Sequence, residues 1–249
     1  MINMGVVLYA GVDYGKILEQ AEQEADVITW DGGNNDIPFY RPDLHIVIVD
    51  PHRPGHEISY YPGETNLRMA DVVIINKIDT ADYEFVEEVR ENTMAVNPTA
   101  IIVDAASPVR VENIEAIRGK RVLVVEDGPT VTHGDMPYGA GYIAARKAGA
   151  TIIDPRPFAV GSIEDTFEKY QHLEDVLPAM GYGKKQMQEL EKTINKADVD
   201  AIVIGTPIDL GRLIRINKPS TRIRYDLQEI GRPNLEEILA DFAKKHKLL

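Results

Sequence analysis

Apolar residues along this chain fall into short unbroken runs, separated by stretches in which they recur at helical spacing. The sharpest run is Val72-Val73-Ile74-Ile75. Four branched residues with no polar alternation predict a strand buried on both faces, as in a parallel sheet. Residues 5–9, 27–30, 44–49, 100–103 and 122–125 predict five more strands, and 15–24, 83–91 and 111–118 predict helices between them. Further strands are expected at 151–153, 201–204 and 223–225, with helices near 184–195 and 234–246. The alternation predicts an α/β fold, a mostly parallel sheet flanked by helices. A turn-rich polar segment at 127–139 breaks the texture. A core over 1–126 and a second α/β subdomain over 127–249 are therefore expected.

The run at 72–75 stops on Asn76-Lys77-Ile78-Asp79, at the carboxyl end of its strand, where open α/β sheets hold ligands. An Asp carboxylate there can accept from the N1–H and exocyclic amino group of guanine. The Asn amide can serve another edge of the base or pin a loop, and the Lys stem can lie over the purine face. The plainer alternative is a strand end that caps the following acidic helix. One strand later, Ala106 and Ser107 lie in a small-residue loop whose backbone N–H groups could reach the base oxygen.

Other strand ends add chemistry. Asp31 follows a predicted strand, the place from which a carboxylate contacts Mg²⁺ directly or through water. The loop 50–57 collects His52, Arg53, His56 and Glu57 between two prolines. Arg53 suits phosphate or carboxylate, and the loop reads as a switch that senses nucleotide or substrate. Thr130, Thr132 and His133 lie on one loop ahead of a glycine-rich helix start, a setting for anion binding and acid–base work. Arg212, Arg215, Lys218, Arg222 and Arg224 form a basic cluster suited to a polyanionic metabolite. One expected part is missing, since the sequence contains no G-x-x-x-x-G-K-[ST]. The nearest string, Gly11 to Lys16, is one residue short and has Ile17 where a Mg²⁺-binding hydroxyl is needed.

Composition narrows the classes. A net charge of −13 argues against a nucleic-acid or membrane-surface role. The absence of cysteine removes disulfides, thiolate metal sites and cysteine nucleophiles together. No apolar run approaches the ~18 residues of a membrane span, and the first ten residues lack a signal-peptide pattern. A cytoplasmic protein is expected.

Several strings resemble the carboxyl-terminal portion of the cyclic 2,3-diphosphoglycerate synthetases and their related GTPases. They are Gly-Val-Asp-Tyr, Trp-Asp-Gly-Gly-Asn-Asn-Asp, Asp-Pro-His-Arg-Pro-Gly-His-Glu, Asn-Lys-Ile-Asp, Glu-Asp-Gly-Pro-Thr-Val-Thr-His-Gly and Gly-Thr-Pro-Ile-Asp-Leu. The resemblance spans roughly residues 5–239. It implies a P-loop NTPase core and an activity that closes 2,3-diphosphoglycerate into a cyclic phosphoanhydride at the expense of ATP. It also implies roles: Asp31 on Mg²⁺, and Asn76, Lys77 and Asp79 on the base. Arg53, His56, Thr132 and His133 then face the phosphorylated substrate, with Arg53 and His133 as catalytic candidates. The cofactors implied are ATP or GTP and Mg²⁺; the tetrapeptide points to guanine and the family reaction to ATP. The missing phosphate loop implies a P-loop-bearing partner chain or a missing segment, and a homodimer is a further assembly to consider. Two alternatives stand beside the synthetase: a regulatory or chaperone-like GTPase, and a non-catalytic nucleotide- or metabolite-binding subunit.

Overall fold

The computed structural model describes residues 5–33, 36–132, 137–173, 175–181 and 183–248. By contact the chain divides into two units, one of 1–107 with 227–249 and one of 108–226. The division expected at 126 falls inside a strand of the second unit, because that strand is paired by later segments of the same unit.

In the first unit, β1 (Ile46–Val49), β2 (Val72–Ile75) and β3 (Ile101–Ala106) run parallel in that order. The chain returns after the second unit as β10 (Gln228–Ile230), antiparallel on the β3 edge. β2 is central and buried at every position, which accounts for its unbroken branched run. The pleat sends Val73 and Ile75 to one face, where they meet Leu67 of α3 (Gly63–Met69) and Val86 and Val89 of α4 (Tyr83–Val96). Val72 and Ile74 go to the other face, with Leu235 and Ile238 of α10 (Leu235–Lys245).

Two expected strands do not form. Residues 5–9 and 27–30 are in neither strand nor helix, and Val6, Val7, Leu8, Val27 and Ile28 are exposed. A strand exists only through its hydrogen-bonded ladder. Among the described residues nothing pairs with the outer side of β1, where Ile46 and Ile48 are also exposed. α1 (Tyr14–Ala21) does form, started by Asp13, whose Oδ1 accepts from the Lys16 amide at 3.2 Å. α2 (His56–Ser59) is a single turn.

The second unit holds a six-stranded sheet. β4 (Val109–Val111), β9 (Ser220–Tyr225), β8 (Ala201–Ile204), β5 (Arg121–Asp127) and β6 (Thr151–Ile152) lie in that order, and β7 (Leu177–Ala179) also pairs with β5. Only β4 runs antiparallel to its neighbour. The helix expected over 111–118 is replaced by the end of β4 and a 3₁₀ turn at Ile114–Ala116. Pairing with β9 prevails there over helical spacing. Helices α5 (Gly128–Thr132), α6 (Ala140–Lys147), α7 (Ser162–Lys169), α8 (Lys184–Lys196) and α9 (Leu210–Leu213) complete the unit. Val122 to Val125 and Ala201 to Ile204 form the centre of its core. No described helix is long and apolar enough to cross a membrane.

Candidate functional site

The loop after β2 is pinned between the carboxyl ends of its two neighbours. The Asn76 amide donates to Val49 O of β1, and the Ile78 amide donates to Ala105 O of β3, both at 3.1 Å. Between them Lys77 takes a left-handed backbone, φ 59°. That conformation costs a residue with a Cβ on the order of 1–2 kcal/mol. Its carbonyl offsets the strain by accepting three times, from the Thr80 and Ala81 amides at 3.1 Å and the Thr80 hydroxyl at 3.2 Å. The turn delivers Asp79 to the surface, where its Oδ1 accepts from the Ser107 amide at 3.3 Å. Ala106 is buried at the end of β3 and Ser107 is half-buried beyond it. The two base-recognition candidates, one strand apart, thus share a hydrogen bond. Asn76 Oδ1 is buried in the same loop with no hydrogen-bond partner.

The loop after β1 is laced to this one. Asp50 Oδ2 lies 2.7 Å from Lys77 Nζ and 3.3 Å from Arg53 Nη2, while Oδ1 accepts from the His52 amide at 3.1 Å. Burial raises the Asp50 carboxyl, but the Lys77 ammonium, the His52 amide and the Arg53 charge outweigh it. The group is held below its ordinary range. His52 Nε2 contacts Thr80 Oγ1 at 3.0 Å. Arg53 therefore sits beside the Asn76–Asp79 loop. His56 starts α2 and meets Tyr60 edge-on, ring centroids 4.9 Å apart. Glu57 turns to α4, accepting from Asn92 Nδ2 at 2.8 Å. Asp50 carried no expectation from sequence. Its place directly after the apolar run of β1 was the available signal.

The remaining candidates are placed differently. Asp31 is exposed and, contrary to expectation, does not end a strand, since 27–30 has no ladder partner. Among the described residues no three His, Asp or Glu side chains are grouped to hold a metal ion. The neighbouring Trp30 packs among Tyr14, Phe39 and Tyr40. A recess of about 410 Å³ lies close by, at the amino ends of β1 and β2, lined by Phe39, Tyr40, His45 and Asp71 among others. It contains none of the predicted site residues. In the second unit Thr132 is buried, its hydroxyl donating to Gly128 O at 2.8 Å. His133 lies outside the described residues. The basic cluster is largely spent on partners: Arg212 and Arg222 on Asp209, Arg224 on Glu112, and Lys218 on carbonyls at the end of α8.

Sequence reading missed Glu126. It sits near the carboxyl end of β5, 2% exposed, and accepts from the Gly139 and Tyr142 amides at 3.2 and 2.8 Å. Burial pushes its carboxyl up to about 7, against the amides of Tyr142, Gly139 and Gly141, which favour the ionised form. A Cβ on Gly205 would lie 2.4 Å from Glu126 Oε2, and one on Gly139 would lie 2.6 Å from it. Glycine at these positions is what admits the carboxyl group. The spaced glycines, the paired acids ending β5 and the Glu-Asp-Gly-Pro string that begins at Glu126 were the sequence traces.

Residues 3–106 match the model of the P-loop domain of cyclic 2,3-diphosphoglycerate synthetase. That part of the chain is similar to the P-loop domain of this synthetase family. Among its relatives is the arginine synthetase ArcE of Thermococcus kodakarensis, 64% identical over 98% of this chain and 54% of the relative. Cyclic 2,3-diphosphoglycerate synthetases of Thermococcus sibiricus and Methanothermus fervidus are each 26% identical. Those matches cover 43% and 71% of this chain, and 24% and 33% of the relatives. The chain thus spans about half the length of ArcE and less of the others. The matched region includes Asp31, the loop of Asp50 and Arg53, and the Asn76–Asp79 loop with Ala106.

Proposed function

We propose that this chain is the nucleotide-facing part of an NTP-dependent synthetase. The observation that carries the reading is the meeting of Asp79 and Ser107 at the carboxyl edge of a parallel sheet. In this reading Asn76, Lys77, Asp79, Ala106 and Ser107 form the wall against a purine base. Asp79 accepts from the base, the Ser107 amide turns from Asp79 to the base oxygen, and the Lys77 stem lies on the ring. Guanine satisfies that carboxylate with two donors, which favours GTP over ATP. Arg53 and His56 of the first unit are candidates for the second substrate, with Arg53 neutralising charge that develops on a transferred group. Thr132 and His133 of the second unit stand as separate candidates for it. Mg²⁺ would arrive with the nucleotide and keep most of its waters, as that ion usually does. Asp31 would supply the one protein carboxylate.

The phosphate cradle, in this reading, comes from another polypeptide or from a segment outside this sequence. The outer edge of β1, unpaired among the described residues, with Ile46, Ile48, Val6 to Leu8 and Val27 exposed, supports further strands being added there. Identity of 64% over 98% of the chain to an arginine synthetase favours formation of arginine. Cyclisation of 2,3-diphosphoglycerate, shared in name with the family model and the 26% relatives, is the second reading. Titration calorimetry with GTP and ATP, with Mg²⁺ and with or without a P-loop-bearing polypeptide, tests the proposal. Binding of GTP that Asp79→Asn weakens is expected; no binding of either nucleotide under any of these conditions refutes it.

A further inference from the structure

We propose that Asp50 is the positioning residue of the base pocket, acting through Lys77. This inference rests on the nucleotide reading above and names a residue that the reading does not require. Lys77 presents its side chain from a left-handed turn, a single position from which the stem must be aimed. A lysine side chain carries several freely rotating bonds, and ordering it on a ligand costs up to ~2 kcal/mol of entropy. The 2.7 Å contact from Nζ to Asp50 Oδ2 removes that freedom before any ligand arrives. Asp50 is itself fixed. Its Oδ1 accepts from the His52 amide, its carbonyl accepts from the Arg53 amide at 3.0 Å, and its side chain is 22% exposed. The His52–Thr80 contact ties the same two loops a second time, so the anchor cannot drift away from the turn it serves.

The arrangement also explains why one carboxylate oxygen carries two cations. Arg53, at 3.3 Å, is the weaker partner of Asp50. Drawing the guanidinium away to an anionic group leaves the Asp50 charge wholly to Lys77. The base pocket is then most firmly ordered when the neighbouring loop is engaged.

The test is a double-mutant cycle on the full chain, read as GTP affinity by calorimetry, with circular dichroism and thermal melting reporting the fold. Asp50→Asn keeps size and shape and should lower affinity roughly tenfold. Asp50→Glu, which restores the charge, should recover part of the loss. In a Lys77→Met background Asp50→Asn should change affinity by less than about twofold, because the residue it acts through is gone. An equal loss in both backgrounds, or no loss in the first, overturns the inference. A wild-type chain that binds no nucleotide with or without the P-loop-bearing polypeptide, or whose binding Asp79→Asn leaves intact, overturns the nucleotide reading itself and this inference with it.

Discussion

Asp79 and Ser107 stand 28 residues apart and are joined by a hydrogen bond of 3.3 Å between a carboxylate and a backbone amide. Parallel pairing of β2 with β3 brings them together, for Ile75 lies opposite Asp104 and both strands end at the same edge. A ligand that replaces this contact finds both partners already in position.

Asp79→Asn should reduce guanine-nucleotide affinity by tenfold or more, since hydrogen bonds to a charged acceptor are worth about 1.5–3 kcal/mol each. The side chain is exposed, so the melting temperature should hold within a few degrees. Calorimetry and a thermal melt of the same sample check both halves.

Glu126 should make stability fall as pH rises. Its folded carboxyl lies near 7 against an ordinary 4.5. Below 4.5 both folded and unfolded chains hold the proton. Between 4.5 and about 7 only the unfolded chain releases it, so stability declines, and above about 7 the loss is complete. The loss should reach roughly 3 kcal/mol at most. Urea denaturation of wild type and Glu126→Gln from pH 4.5 to 8 should show this decline as the difference between the two curves.

Gly128 should tolerate no side chain. An added Cβ would lie 2.4 Å from the Ala179 carbonyl oxygen, a backbone atom of the neighbouring strand that cannot swing aside. Gly128→Ala should cost about 2 kcal/mol or more of unfolding free energy. Gly15→Ala, inside α1 with its nearest neighbour at 3.6 Å, should be neutral or stabilising by ~0.5–1 kcal/mol. Chemical denaturation separates the two.

Asn97 should matter although it touches no candidate ligand. Its buried Nδ2 donates to Leu67 O at 2.9 Å and Ala70 O at 2.8 Å, satisfying the carboxyl end of α3. Asn97→Ala takes the donor from Ala70 O and leaves Leu67 O only the Ala70 amide at 3.4 Å, and should cost roughly 1–3 kcal/mol. A lowered urea midpoint with an unchanged slope is the expected signature.

Much of this was legible in the chain. The branched run at Val72 to Ile75 specified a central buried strand, and the tetrapeptide behind it marked the strand's carboxyl end as the candidate edge. The run at 201–204 and the amphipathic stretches that became α8 and α10 were equally plain. Residues 5–9 and 27–30 read as strands by the same logic and are not strands. Local composition states that a segment is fit for a ladder, and only a neighbour can supply one.

What the sequence determined by itself was therefore local: which segments suit strand or helix, and which side chains stand at their ends. The tertiary structure decided who meets whom. Asp50 finds Lys77, and Glu126 finds Gly139 and Gly205, because strand order places their loops side by side. The tail crosses back as β10 to close the first sheet for the same reason. Periodicities of two and 3.6 residues record the burial of a face, and carry no record of which distant segment will cover it.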